Sequence, residues 1–389
     1  MNIFRKFVAR LKQREANRYA SKFLKDNEKR RLANPLIIDD VFLDNVSTGR
    51  LILLTSSKEL HGRAFFVESL GVQVLHGIPD DLSKDDFVLC FGYNDFLKNA
   101  KMLYKLNVEK VFFIEAGFLR SILMDKSSSV FNRALCFFVD DLGFHYDPEQ
   151  LSRIEVMLND PELTLTDQDI LRARKIRETI ICNCLTKYND QALSPLKWET
   201  TRRKRVLVVE QARNDWAILK SGGAAKSFRG MLEVAIAQNP DAEILVKVHP
   251  DTLNGKRGGI EKSYYGDLQD TGQIKLITEK INPITLMETV ERVYVFTSML
   301  GFEAAMMGKE VHVFGKPCYA GWGFTVDYQV FERRTRHRSV DEAVFIIYVL
   351  YQKYKNLDGM WCSAESTIET LLNLRNVYLK ECKSISRTA

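Results

Sequence analysis

The stretch that decides the fold is VKVHPDT, Val246 to Thr252, read together with VFTSMLGFEAAMMGKEVHVFGKPCYAGWG, Val295 to Gly323. Each begins as an apolar run of strand length and ends in small polar or ionisable residues, which delivers a reactive loop to the carboxyl end of a buried strand. Open α/β sheets bind their ligands at that end. Lys247 and His249 alternate with Val246 and Val248, so the two cationic side chains share one face of the strand end. Thr297 and Ser298 precede a helix expected over residues Gly301 to Met307, whose free amides favour an anion. A phosphate suits both places. Taken singly, His249 before Pro250 reads as a turn residue and Ser298 as an ordinary helix N-cap. It is their order, each after its own strand, that points to a site.

Outward from there, strand-like runs occur at Leu51 to Thr55, Phe87 to Gly92, Val111 to Glu115, Leu135 to Asp140, Val206 to Gln211, Ile244 to His249, Lys275 to Thr278, Val293 to Thr297 and Val311 to Gly315. Helical patterns such as Ala224 to Gln238 separate many of them, the alternation expected of parallel sheets. The stretch TTRRKRVLVV, Thr200 to Val209, with Pro195 upstream, reads as a polar connector ending in a buried strand. The pattern predicts an α/β chain with two Rossmann-like doubly wound domains, a GT-B-like plan. Its divisions are an N-terminal helix over 1–31, a first domain over 32–200, a second over 201–340, and C-terminal helices over 341–389. Two of these helices, Val340 to Tyr354 and Ser366 to Lys380, are expected to cap the second sheet and return toward the first domain.

Composition agrees with this plan. A chain of 389 residues exceeds the usual size of one hydrophobic core, and 46% hydrophobic with 27% charged residues excludes a disordered chain. No apolar run reaches the length of a membrane span, and the opening MNIFRKFVARLKQREANRYASKF carries charge too often for a signal peptide. The expected location is therefore cytoplasmic. The seven cysteines, at 90, 136, 182, 184, 318, 362 and 382, lack the paired spacing of a zinc site and read as reduced thiols, mostly in the core. A net charge of +6 raises nucleic acid as a partner, but no binding module interleaves its basic residues with stacking aromatics, so none is expected.

In the first thirty-one residues Ile3, Phe4, Phe7, Val8 and Leu11 recur at helical spacing, and eleven Lys or Arg face three acidic residues. Two readings stand side by side. The helix lies on an anionic membrane face, peripheral to the inner membrane, or it docks on the first domain through the same stripe.

Six segments in order are EAGFLRS (Glu115 to Ser121), DDLGFHYD (Asp140 to Asp147), EQARNDWAI (Glu210 to Ile218), VKVHPD, TSMLGFEA (Thr297 to Ala304) and FGKPCYAGWG (Phe314 to Gly323). In these the chain resembles the capsule polysaccharide synthesis proteins of the KpsC type, retaining β-Kdo glycosyltransferases of Gram-negative bacteria. The resemblance covers roughly residues 50 to 330. The capsule enzymes often carry two catalytic units in tandem where this sequence has one, and the EQARND loop is looser than the family pattern.

The resemblance implies transfer of Kdo (3-deoxy-D-manno-oct-2-ulosonic acid) from CMP-Kdo to a saccharide or lipid-linked glycan, for capsule or lipopolysaccharide, alongside other polysaccharide assembly proteins. Such transfer needs a phosphate grip, stabilisation of an oxocarbenium-like sugar and a base for the acceptor hydroxyl. Lys247, His249, Thr297 and Ser298 then form the grip, Gln211 joins the donor side, and Glu303 orients ribose or base. A monophosphate leaving group does not demand a divalent ion and the second domain has no DxD-like pair after a strand, so no metal and no cofactor beyond the donor are expected. The family's double displacement implies a nucleophilic aspartate in the loop after the first strand of the second domain, and Asp215 matches; by position alone Asp215 equally caps a helix starting at Trp216.

On the first domain, Glu115, Asp140 and Asp141 end neighbouring strand-like runs. Three carboxylates facing one cleft would raise a pKa and make a base, Asp141 first and Glu115 second. Arg120 and His145 would meet anionic sugar carboxylates, and Asp140 is a further substrate-binding candidate. Asp140 also suits a cap, Arg120 a pair with Glu115, and Asp147 before Pro148 a turn. Two other classes remain open: another GT-B nucleotide-sugar transferase, sialyltransferase-like, and a non-catalytic binding component of an assembly complex.

Overall fold

The computed structural model describes residues 2–36, 51–54, 73–75, 79–83, 86–123, 129–187, 189–191, 193, 203–249, 252 and 263–388, with side chains except at 2–8, 51, 73–75 and 382–388. The chain forms two compact units: residues 1–145, 150–153 and 351–389 make the first, and residues 146–149 and 154–350 the second.

The first unit opens with helix α1 (Asn2–Ala33) and strands β1 (Leu51–Leu54), β2 (Gln73–Leu75) and β3 (Phe87–Phe91). Then come α2 (Tyr93–Lys105), β4 (Val111–Ala116) and β5 (Cys136–Asp140). Strand β3, FVLCF, is buried at every position, as a strand covered on both faces must be. In α2 the buried Phe96, Leu97, Ala100 and Leu103 fall at helical spacing, and α1 packs on this helix with the Phe23 and Phe96 rings 5.8 Å apart.

Helices α3 (Arg153–Asn159) and α4 (Asp167–Cys182) follow, the latter started by a capping box between Thr166 and Asp169. The second unit continues with β6 (Arg205–Val209), α5 (Trp216–Lys220), α6 (Ala225–Gln238), β7 (Glu243–Lys247) and β8 (Ile274–Ile277). Next are α7 (Pro283–Met287), β9 (Arg292–Val295), α8 (Leu300–Met306), β10 (Glu310–Val313), β11 (Val326–Asp327) and α9 (Val340–Val344). Phe228, Met231, Leu232 and Ala235 put one face of α6 into a core with Val208, Val246 and Phe296. Strands β12 (Gln352–Lys355) and β13 (Trp361–Cys362), then helix α10 (Ala364–Thr388), belong to the first unit.

The two sheets differ in direction. The second unit's sheet runs β11-β10-β9-β6-β7-β8, parallel throughout. The first unit's sheet runs β13-β12-β5-β4-β3-β1-β2, parallel from β2 to β4 and antiparallel at the β4–β5, β5–β12 and β12–β13 pairs. The mixed α/β class with two sheets of Rossmann-like strand order is thus as the sequence implies, and all nine expected strands are present.

Two expectations change. The single helix expected over Val340 to Tyr354 is α9 followed by a π-helical turn, Phe345–Tyr351, and then strand β12. Pairing with β5 overrides the apolar periodicity there: Gln352 Oε1 accepts from Phe118 N at 2.9 Å and from Cys136 Sγ at 2.7 Å. A boundary near residue 200 also differs from the compact division, because α4 packs with the second unit. Arg177 pairs with Asp341 at 2.7 Å and donates to Met306 O at 3.0 Å. The Pro195 to Arg202 junction lies outside the described residues. Of the cysteines, Cys90, Cys136 and Cys318 are buried, Cys184 and Cys362 are half-buried and Cys182 is exposed.

Candidate functional site

The second sheet's strand order, taken from β6 as first, is 3-2-1-4-5-6, and it reverses direction between β6 and β9. In open parallel sheets that switch point is where a ligand sits. The residues leaving those two strands meet there: Thr297 N donates to Gln211 Oε1 at 2.7 Å, and Gln211 Nε2 donates to Thr297 Oγ1 at 2.9 Å. Both are buried. The pairing fixes the two loop starts against each other.

Glu210, the first residue after β6, accepts from His249 N at 2.9 Å, from Tyr264 N at 2.6 Å and from the Ser263 hydroxyl. It ties the loop after β7 to the 263–264 turn. The sequence reading passed over Glu210, although a carboxylate directly after the first strand of a parallel sheet was itself the signal. Arg213 extends this cluster, donating to Ser263 O at 3.1 Å with its guanidinium 4.8 Å from the Tyr264 ring centre.

Lys247 ends β7 and is 6% exposed, without a hydrogen-bond partner among the described residues. Burial pulls its pKa down to about 8, against a weaker upward pull from Glu279. Such an ammonium lacks a counterion close by, which an anionic ligand would supply. His249, two residues on, is half-buried. Glu303 on α8 is the acidic counterpart: burial pushes its pKa up to about 8 despite the Lys187 charge, and its Oε2 is buried without a partner. A carboxyl kept neutral in this way donates a hydrogen bond.

Helix α8 starts one residue earlier than expected, and its N-cap position is Met299, with no side-chain cap. Ser298 Oγ accepts from Leu300 N at 3.3 Å, while Ser298 O accepts from the buried Tyr319 hydroxyl. Gly301 is required by that approach, since a Cβ would stand 2.2 Å from Tyr319 Oη. Asp215 caps α5, accepting from Ala217 N at 2.8 Å after a turn in which Asn214 takes a φ of 61°. The capping role is therefore real and engages one carboxylate oxygen, Oδ1.

The first unit departs from expectation. Strand β5 runs antiparallel to β4, pairing Glu115 with Phe138 and Phe113 with Asp140, so Glu115 and the Asp140–Asp141 pair leave the sheet at opposite ends. Three carboxylates do not line one cleft. Asp141 is buried, with Arg153 Nε at 2.9 Å on one oxygen, Arg153 Nη2 at 2.8 Å on the other, and Leu36 N at 2.9 Å. That arrangement makes it an anchor, and the assignment of Asp141 as base is corrected. Asp140 accepts from Leu142 N, Gly143 N, Arg153 N and the Tyr351 hydroxyl. Burial first, then the Asp141 charge, pushes its pKa up to about 6. It caps, as one sequence alternative had it.

Glu115 is half-buried at the carboxyl end of β4, beside Gly92, whose φ of 79° and missing Cβ (3.2 Å from Glu115 Oε1 if present) leave that carboxylate room. Gly92 also precedes α2 with no side-chain cap. Arg120 is buried. His145 packs on Phe138, ring centres 4.5 Å apart, and on Phe118. Asp147 accepts from Glu149 N at 3.1 Å, the expected turn, and pairs with Lys220 at 2.7 Å. Among the described residues no cluster of three or more His, Cys, Asp or Glu side chains is placed to hold a metal ion.

Residues 86–357 match the family described as capsule polysaccharide biosynthesis protein. A solved structure of Thermosulfurimonas dismutans KpsC, a beta Kdo 2,4 transferase, superposes with a TM-score of 0.72 at 31% identity, over 82% of this chain and 97% of that one. The capsule polysaccharide modification protein LipA of Neisseria meningitidis is 35% identical over 257 residues, 62% of this chain and 35% of LipA. The lipopolysaccharide-processing protein LpsZ of Rhizobium meliloti is 35% identical over 243 residues, 62% of this chain and 53% of LpsZ. The chain thus spans about a third to a half of the length of these curated relatives.

Proposed function

Given that the chain belongs to the capsule polysaccharide biosynthesis family, we propose that it is a β-Kdo glycosyltransferase that takes its sugar from CMP-Kdo. The observation that carries this reading is the switch-point pair Gln211–Thr297 with the partnerless, buried Lys247 on the neighbouring strand. A nucleoside monophosphate supplies what that arrangement lacks: an anion for Lys247 and the loop amides after β9, and hydroxyls for the neutral Glu303 carboxyl. The likeness to a Kdo transferase at 31% identity supports the sugar.

In the proposed reaction the free Asp215 oxygen attacks the anomeric carbon of Kdo as the bond to the CMP phosphate breaks, and the phosphate leaves with that electron pair. A glycosyl–aspartate ester results. The acceptor hydroxyl then loses its proton to a general base and displaces Asp215, so the two inversions give net retention. Asp215 stays fixed in the meantime because its other oxygen is held by Ala217 N. No step is assigned to a metal. The acceptor is a saccharide or lipid-linked glycan at the inner face of the inner membrane, reached in the company of other polysaccharide assembly proteins.

Incubation with CMP-Kdo generated in situ, CMP-sialic acid and UDP-sugars, each with a Kdo-primed acceptor, tests the donor. Transfer from CMP-Kdo alone is expected. Transfer from another donor would reassign the sugar, and CMP binding without turnover on any donor would make the chain a binding component.

A further inference from the structure

Helix α1 presents two faces of different kinds. Its docked face is Ala20, Phe23, Leu24, Asn27 and Arg31, all buried against the first unit; Asn27 Nδ2 donates to Asp141 O at 2.8 Å and Arg31 to Glu109 O at 3.1 Å. With roughly 100° of turn per residue, these positions share one side of the helix. Positions 4, 7 and 11 of the apolar stripe fall on the opposite side of the helix by register, within an arc of about 60°. The stripe therefore does not share the side of the helix that carries Ala20, Phe23, Leu24, Asn27 and Arg31. Leu11 is 47% exposed, and residues 9 to 15 are exposed throughout.

The same outer arc continues along the helix as Arg18, Lys22, Lys25 and Lys29. All four are exposed, and none is in an ion pair among the described residues. The only acidic neighbours on α1 are Glu15, taken by Lys101 at 2.8 Å, and Asp26 and Glu28 at the flanks of the row. One face of a single helix thus reads apolar for its first three turns and cationic for the turns that follow; Leu11, Arg18, Lys22, Lys25 and Lys29 on it are exposed, with Lys22 Nζ 5.9 Å from the Tyr104 ring centre.

We infer that this outer face of α1 is a docking surface for an anionic lipid membrane, with the helix in the interface plane, Phe4, Phe7 and Leu11 at acyl depth and Arg18, Lys22, Lys25 and Lys29 on lipid phosphates. Charge complementarity selects the occupant. A nucleic acid would match the cationic row and leave the apolar positions in water, and a second copy of the chain would bring like charges together. The surface lies in residues 2–33, before the start of the family match at residue 86, and the inference does not depend on the donor assigned above.

Co-sedimentation of the full chain with vesicles of phosphatidylcholine, alone or mixed with phosphatidylglycerol, tests this. Binding is expected only to the mixed vesicles and to weaken with salt. At about fivefold per cation, the triple variant Lys22→Glu, Lys25→Glu, Lys29→Glu should bind on the order of a hundredfold more weakly. A net-charge control with Lys175→Glu, Lys226→Glu and Lys380→Glu should bind like the wild type. Phe7→Asp with Leu11→Asp should also lose binding, and circular dichroism should be unchanged in every variant. Absence of wild-type binding, equal loss in the control, or Phe7→Asp/Leu11→Asp binding as wild type would each overturn the inference. So would a change of mass in light scattering on Phe7→Asp/Leu11→Asp, which would put a second copy on this face.

Discussion

In the second unit, polar residues that follow apolar strands gather at one edge of an all-parallel sheet, and Gln211, Thr297, Lys247 and His249 stand on adjacent strand ends. In the first unit, Asp140 and Asp141 follow an equally apolar strand, yet β5 runs antiparallel to β4 and carries them to the opposite edge. There they are absorbed into structure, with Arg153, Leu36, Tyr351 and Asn27 around them. The rule that ligands sit at carboxyl ends depends on strand direction. Polar residues after a strand converge on one another in one case and serve as a bracket for the N-terminal helix in the other.

The contrast is broken or sharpened first by a pair of variants. Asp215→Ala should reduce transfer on the order of a thousandfold or more while costing only about 1 kcal/mol of stability from the lost cap. Asp141→Ala should do the reverse, costing about 3–5 kcal/mol in urea unfolding because it strands the Arg153 charge, with transfer per folded molecule little changed. Mass spectrometry with donor alone should show a Kdo-sized adduct on the Asp215 peptide of the wild type. Near-normal turnover in Asp215→Ala, or loss of turnover without loss of stability in Asp141→Ala, would reverse the roles given to the two aspartates.

A smaller effect is expected at Lys247. Lys247→Met should weaken CMP by about 1.5–3 kcal/mol, the worth of a charged hydrogen bond, and leave the fold intact. Its folded pKa of about 8 lies below the unfolded value of 10.5, so the unfolded state holds more protons between those limits and stability rises with pH there. CMP affinity runs the other way, falling as the ammonium deprotonates above pH 8, because the phosphate needs the charge. Calorimetry from pH 7 to 9.5 should show both proton uptake on binding and that fall; a flat profile would remove Lys247 from the grip.

A further effect is expected at Glu303. Its folded pKa of about 8 lies above the ordinary 4.5, so its contribution to stability is fully present below pH 4.5 and is lost as pH rises toward 8. Glu303→Gln keeps the neutral form at every pH. The variant should match the wild type near pH 4 and exceed it by a margin that grows as pH rises toward 8, measured by urea unfolding. An advantage that does not grow with pH would mean that Glu303 is ionised in the fold.

Much of this was legible in residue order. Runs such as RVLVV and EILVK are too apolar and too β-branched for anything but buried strands, and their spacing by helical patterns forces parallel connections. The loops that follow them named Gln211, Lys247, His249 and Thr297. Strand β12 was not legible, because QKYK follows seven residues of helical character and pairs with β5 through the Gln352 contacts to Phe118 and Cys136. Glu210 was overlooked because its partners, His249 and Ser263–Tyr264, lie far away in the chain.

By itself the sequence determined which segments are buried and what chemistry follows each, since burial and propensity are local properties of a short run of residues. The direction of β5, and with it the fate of Asp140 and Asp141, was decided by the tertiary structure. So were the docked face of α1 and the displaced acidity of Lys247 and Glu303. Each depends on what stands opposite a residue in space, which its neighbours in the chain do not specify.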